Sequence, residues 1–198
     1  MKKIIVLTIF CSLLIGTNGY SQQNGYTSVQ YGVSFATGDM GDYISAVSWR
    51  GFLVEYKRPV NDNLLAGIDL GWNVFYERKP DDTYSRGTES LSGVQYRYQN
   101  EVPILATLDY LIGSGSALSP YVGIGIGTMY SERSTDMNVY RWEQTTWHFA
   151  LKAELGMLYE INYGTSIKFS AKYYNGFKTK KLDNQGYVSL NLGLTFNL

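Results

Sequence analysis

The chain has 198 residues, enough for one domain with a real core, and its 17 basic residues balance 17 acidic ones. That neutrality points away from nucleic acid as a partner. One cysteine, 18 tyrosines and 21 glycines with 44% hydrophobic residues exclude a disulfide scaffold and describe an all-β, turn-rich protein.

Residues 1–21 read as a secretory signal peptide. Lys2 and Lys3 give a charged start, Ile4 to Ile15 is an apolar run, and Gly19-Tyr20-Ser21 supplies small residues for cleavage after Ser21, with Gly19 as the second choice. The run is too short to span a membrane. Cys11 lies inside it, preceded by Phe10, whereas a lipoprotein signal wants a small residue there. The expected mature domain, 22–198, then has no cysteine, 15 basic against 17 acidic residues and a net charge of −2. No later apolar run approaches the roughly 20 residues a membrane helix needs, so a membrane location would require a barrel.

Successive side chains on a strand point to opposite faces, and this period of two recurs eight times. Strand one, about Thr27 to Ala36, alternates Val29, Tyr31, Val33 and Phe35 with Gln30, Gly32, Ser34 and Ala36; Thr37 to Asp42 is a turn-rich break. Strand two, about Ala46 to Lys57, sets Phe52, Val54 and Tyr56 against Leu53, Glu55 and Lys57, with a bulge expected at Gly51. Strand three, about Leu64 to Tyr76, opposes Ile68, Leu70, Trp72 and Val74 to Gly67, Asp69, Gly71 and Asn73. Glu77 to Ser90 reads as a long polar loop. Strand four runs from about Val94 to Leu111, with Pro103 as a local irregularity. Gly113-Ser114-Gly115-Ser116 is a short turn. Strand five, about Tyr121 to Tyr130, alternates Val122, Ile124 and Ile126 with Gly123, Gly125 and Gly127. Ser131 to Gln144 reads as a second long loop. Strands six (about Thr146 to Tyr159) and seven (about Ser166 to Tyr174) are joined at Asn162-Tyr163-Gly164, and Gly176 to Gln185 leads to strand eight, Gly186 to Leu198.

The expected fold is all-β: an eight-stranded antiparallel up-and-down transmembrane β-barrel. Longer and shorter connections alternate, as in barrels with long outer loops and short periplasmic turns. The non-apolar face is rich in Gly, Ser, Thr and Asn, which suits a narrow interior filled by side chains. Tyr56, Tyr76, Tyr96, Tyr98, Tyr110, Tyr130, Trp147, Tyr159, Tyr173 and Tyr187 gather near strand ends and are read as two interfacial girdles.

With Glu101-Val102-Pro103-Ile104-Leu105 before a short turn, Pro120-Tyr121-Val122-Gly123-Ile124-Gly125, and the alternating C-terminal strand, the chain resembles the small eight-stranded outer-membrane barrels of Gram-negative bacteria, the porin-family or outer membrane β-barrel proteins. The resemblance covers about Tyr26 to Leu198 and indicates fold better than activity. It implies a bacterial outer-membrane location and a monomer in contact with outer-membrane lipids and lipopolysaccharide. It also implies recognition by the barrel-assembly machinery through the terminal strand, with Phe196 and Leu198 as its apolar end.

The lumen is expected to hold Glu55, Asp69, Arg97, Glu101, Asp109, Lys152, Glu154, Lys168 and Lys172. Mixed charges in a narrow barrel should pair, because isolated ones are costly to desolvate, and Glu101 and Lys152 are expected in one network. The alternative is a narrow polar path for small solutes. His148 is the only histidine; an enzyme acting on lipid A would need it beside a serine and a carboxylate, with Ser131, Ser134, Glu132 and Glu143 nearby in sequence but at no diagnostic spacing. One His and no mature Cys argue against zinc, and no cofactor motif is present, since Gly123, Gly125 and Gly127 lie inside a strand. Loop residues Arg78, Lys79, Arg86, Arg133, Arg141, Lys178, Lys180 and Lys181 would suit lipopolysaccharide phosphates. The expected function is that of a non-enzymatic porin-family barrel, structural or passing small solutes at low conductance. The alternatives are a surface adhesin acting through the outer loops and, less favoured, a lipid A modifying enzyme.

Overall fold

A computed structural model of the chain describes residues 25–86, 89–112 and 117–197. The expected signal peptide, the stretch 113–116 expected to turn and Leu198 lie outside the described residues, as do the side chains of Ser85, Arg86 and Glu89. Eight antiparallel strands pair in sequence order and close into a barrel: β1 (Tyr26–Thr37), β2 (Ser48–Pro59), β3 (Leu64–Arg86), β4 (Glu89–Leu111), β5 (Leu118–Met137), β6 (Tyr140–Asn162), β7 (Thr165–Gly176) and β8 (Gln185–Asn197). Closure comes from β1 against β8, where Val29 faces Leu194 and Phe35 faces Val188. It leaves no free edge in the body of the barrel.

The two faces are inverted relative to a water-soluble protein. Ile124, Leu155, Leu192, Ile68 and Ile126 point outward and are 53–64% exposed. Ser28, Gln30, Glu55, Asp69, Thr107 and Lys152 point inward and are at most 3% exposed. A continuous apolar belt of this kind is far larger than the few hundred Å² a soluble monomer tolerates, and it matches a wall whose solvent is hydrocarbon. Small residues make the interior possible. A Cβ on Gly123 would lie 2.4 Å from Asp109 Oδ1, and one on Gly156 would lie 2.4 Å from the Tyr121 ring.

Three local features differ from the reading of the sequence, and a fourth, the irregularity at Pro103, meets it. The bulge falls one step before Gly51: Trp49 and Arg50 together oppose Val33, so both point outward and the parity of β2 flips. Pro103 interrupts the β3–β4 ladder locally, but the register on either side is unchanged. Both long polar stretches are mostly strand. β3 and β4 continue to Arg86 and Glu89, and β5 and β6 to Met137 and Tyr140, where Asn138 turns the chain at φ 53°. Asparagine tolerates that left-handed conformation. Tyr, Thr and Arg pair well across strands, so polarity in these stretches marks water around the sheet and not a loop. Finally, the Thr37–Asp42 break contains a short helix, α1 (Gly38–Tyr43), folded into the barrel mouth with Met40 and Ile44 fully buried.

Candidate functional site

The lumen is layered. Nearest the short-turn end lies a group of eight charges, all nearly inaccessible: Glu55, Asp69, Asp109 and Glu154 against Lys57, Lys152, Lys168 and Lys172. Lys57 bonds Asp109, Lys152 bonds Asp69, and both Lys168 and Lys172 bond Glu55. Glu154 lies 2.5 Å from Lys152 and 3.4 Å from Lys172, and accepts a hydrogen bond from the Tyr121 hydroxyl at 2.6 Å. Strand parity brings each group inward, and the flanking glycines leave the width they fill. Four cations meet four carboxylates, so the layer is neutral. Oxygens of Glu55, Asp69 and Glu154 lie within 4.8 Å of one another, as metal ligands would, but the lysine ammoniums already occupy their coordination space. Beneath the layer, Lys57, Asp109, Tyr121 and Lys168 line a vestibule of about 190 Å³.

Toward the long-hairpin end the lumen turns apolar. Phe75, Leu105, Met129, Ala150, Tyr174 and Tyr187 form a buried cluster with Met40 and Ile44 of the α1 segment. Tyr174 stacks on Tyr187 at 4.7 Å, and Phe75 meets Tyr187 edge-on at 5.8 Å. Tyr187 is therefore not part of a girdle. It shares the parity of Ser189 and Asn191 and faces inward, where its hydroxyl accepts from Asn73 at 3.3 Å.

Above this plug lies a cavity of about 700 Å³, lined by Tyr43, Tyr84, Leu91, Gln95, Arg97, Arg133, Thr135, Met137, Tyr140, Trp142 and Gln144. Its walls are the extended β3–β6 hairpins and its floor includes the end of α1. The Tyr43 hydroxyl donates to Ser134 O at 2.9 Å and meets Thr135 Oγ1 at 2.6 Å. The Arg133 and Arg97 guanidiniums lie 4.0 and 5.0 Å from the Tyr43 ring. Burial lowers the Arg133 pKa from its ordinary value, with Tyr43, Glu101 and Asp183 pulling the other way. Tyr140 and Trp142 stack at 5.9 Å and 22°.

Two of the expected lumen charges lie outside the ionic layer. Arg97 is at the mouth, donating to Gln95 Oε1 at 2.6 Å and to Tyr43 O. Glu101 is buried against Gln99 and Ser131 and has no basic group within 4.0 Å among the described residues. It does not meet Lys152: Glu101 pairs with Ser131 and Lys152 with Gly125, six residues apart along β5, roughly 20 Å of strand. Lys57, on the same parity as Glu55 but not among the expected lumen charges, belongs to the layer, and Tyr121 faces inward with it. His148 Nδ1 lies 2.7 Å from Phe177 O; Ser131 turns instead to Glu101 and Ser134 to Asp136, so among the described residues no serine–histidine pair forms.

Tyr56, Tyr110 and Tyr159 point outward near the short-turn rim; Tyr76, Trp147 and Tyr173 do so nearer the other, all 39–57% exposed. Tyr96 and Tyr98 pack on Tyr76 at 6.5 and 5.0 Å, and Tyr130 packs on Trp147 at 5.3 Å. Phe196 points outward on β8. Of the loop cations, Lys79 pairs with Glu77 at 2.8 Å, Lys178 with Asp183 at 2.7 Å and Arg141 with Asp136 at 3.5 Å.

A family model described as the outer membrane protein beta-barrel domain matches residues 6–196. No curated protein sequence matches the chain. Among solved structures, Neisserial surface protein A aligns with a TM-score of 0.57 and 16% identity, over 88% of this chain and 97% of that one. Ail, the attachment invasion locus protein of Yersinia pestis, aligns at 0.55 and 13%, over 90% and 100%. OprG from Pseudomonas aeruginosa aligns at 0.55 and 13%, over 91% and 98%. At such identities the likeness is one of fold.

Proposed function

Because the chain belongs to the outer membrane protein beta-barrel domain family and so is a bacterial outer-membrane barrel, we propose that it is a non-enzymatic surface protein with a closed lumen that binds ligands at its outer mouth. In such barrels the short turns face the periplasm and the long hairpins face outside. The 700 Å³ cavity then opens outward and the vestibule opens to the periplasm. The observation that carries this reading is the filled lumen between them. Eight mutually paired charges and an aromatic plug separate the two openings. Moving an ion through would require separating buried ion pairs, which costs several kcal/mol each.

Outward aromatic residues at both rims would seat the barrel in lipid, and Arg78, Lys180 and Lys181 would face lipopolysaccharide phosphates. The terminal strand carrying Phe196 would be read by the assembly machinery. The strands close on themselves within one chain, which favours a monomer. His148 held by a backbone carbonyl, away from serine and carboxylate, supports a non-enzymatic role.

The test is a planar-bilayer recording of the refolded chain, with insertion verified by heat-dependent gel mobility. Folded protein that gives no discrete conductance steps supports the reading. Regular steps would overturn it in favour of low-conductance passage.

A further inference from the structure

We infer that the outer mouth binds an anionic saccharide, with Arg97 and Arg133 holding its negative group and Tyr140 and Trp142 stacking on its sugar rings. This rests on the reading of the mouth as a binding site and names its ligand class.

The first argument is charge. Among the described residues every lysine of the lumen has a carboxylate partner, and so do Lys79, Arg141 and Lys178 at the surface. Arg97 and Arg133 line a shared cavity, and neither has a carboxylate oxygen within 4.0 Å among the described residues. Glu101 and Asp183 act on Arg133 only from beyond direct contact, so two converging guanidiniums are left with donors free for an anion.

The second argument is preorganisation. Arg97 is held by Gln95 and the Tyr43 carbonyl. Arg133 is held by Gln99 at 2.9 Å and Gln185 at 3.4 Å. Both pack over one Tyr43 ring, whose hydroxyl is itself tied to β5. Each guanidinium carries five N–H donors, so about three on each remain for an oxyanion.

The third argument is the wall. The aromatic side chains of Tyr140, Trp142 and Tyr84 share the wall with the neutral hydrogen-bonding groups of Gln95, Gln144 and Thr135. That pattern complements a ligand with apolar C–H faces and hydroxylated edges. The volume lies within the roughly 300–1,000 Å³ typical of small-molecule sites. The source could be the acidic core of the cell's own lipopolysaccharide or an acidic glycan on another surface.

Full-length mature protein, refolded in detergent and verified by heat-dependent mobility, is titrated calorimetrically with three probes. These are a sulfated glycosaminoglycan hexasaccharide, lipopolysaccharide core oligosaccharide, and neutral maltohexaose. At least one acidic probe should bind at least tenfold more tightly than maltohexaose, and which one does identifies the source. R97Q and R133Q should each weaken it at least tenfold, and W142A should weaken it while leaving both arginines in place. Comparing probes on the unaltered protein needs no variant to fold. Equal affinity for neutral and acidic probes, affinity unchanged in R133Q, or no binding of any probe would overturn the inference. A silent bilayer with no saccharide binding would remove the inference alone, whereas conductance steps would remove the reading beneath it.

Discussion

The charged layer and the outer mouth both gather basic side chains inside one barrel, yet they treat them in opposite ways. In the layer, four lysines meet four carboxylates and almost no surface is left. In the mouth, two arginines meet only amides, a carbonyl and an aromatic ring, beside a large cavity. The difference teaches where this protein uses charge for cohesion and where it leaves charge available. Lysine suits the first task as a compact point charge that several carboxylates can surround, and arginine suits the second because its planar fork presents donors in a fixed geometry.

The comparison is broken most directly in the layer. Glu55→Ala leaves Lys168 and Lys172 without their nearest partner, and destabilisation of about 3–5 kcal/mol is expected from an uncompensated buried charge. Urea unfolding in lipid vesicles measures it, and a loss under 1 kcal/mol would show that the layer is not the cohesive element. Tyr187→Ala removes the ring at the centre of the plug, and a loss of about 3–4 kcal/mol is expected from the cavity. Bilayer recordings of this variant should stay silent, because the ionic layer below is intact; steps would show that the plug alone closes the lumen.

In the mouth the same chemistry should cost little stability. Arg133→Gln removes a cation with no carboxylate partner, so a change within about 1 kcal/mol is expected in the same unfolding assay. A loss as large as that of Glu55→Ala would erase the distinction. The smallest effect concerns the rim. Burial raises the Glu77 pKa, but hydrogen bonds from Lys79 and Ser45 outweigh it and leave the carboxyl below its ordinary value. A depressed carboxylate contributes stability above its unfolded pKa and loses it as pH falls through the folded one. Protection of the Ser45 amide, which donates to Glu77 at 2.9 Å, against hydrogen exchange should therefore fall below the usual carboxylate range and be unaffected by raising the pH. That exchange is compared with an amide of the barrel wall to remove the intrinsic pH dependence. Pocket-lining amides not tied to Glu77 should lack this transition.

Much of the interior was legible in strand parity. Glu55, Asp69, Asp109, Lys152, Glu154, Lys168 and Lys172 alternate with outward apolar residues, and the structure brings all seven together. The plug carried a signal too: Phe75, Leu105, Met129, Tyr174 and Tyr187 are apolar or aromatic residues on the otherwise polar parity. Aromatic character near a strand end points Tyr187 to a girdle, but its parity with Ser189 and Asn191 places it inside. Arg97 and Glu101 share the lumen parity but sit nearer the mouth, and parity says nothing of height. The extended hairpins read as loops because their faces are both polar, and hydrophobic alternation is silent where water wets the sheet.

Sequence alone determined the strand count, the closed antiparallel architecture and the face that meets lipid, because the two-residue period of a strand assigns each side chain to one face before any tertiary contact exists. Tertiary structure alone decided which inward residues meet, since that depends on pairing register, strand tilt and the bulge at Trp49–Arg50. It also decided that α1 folds into the mouth, so that Tyr43 lies beneath Arg97 and Arg133. Those residues are far apart in the chain, and only closing the barrel brings them within reach.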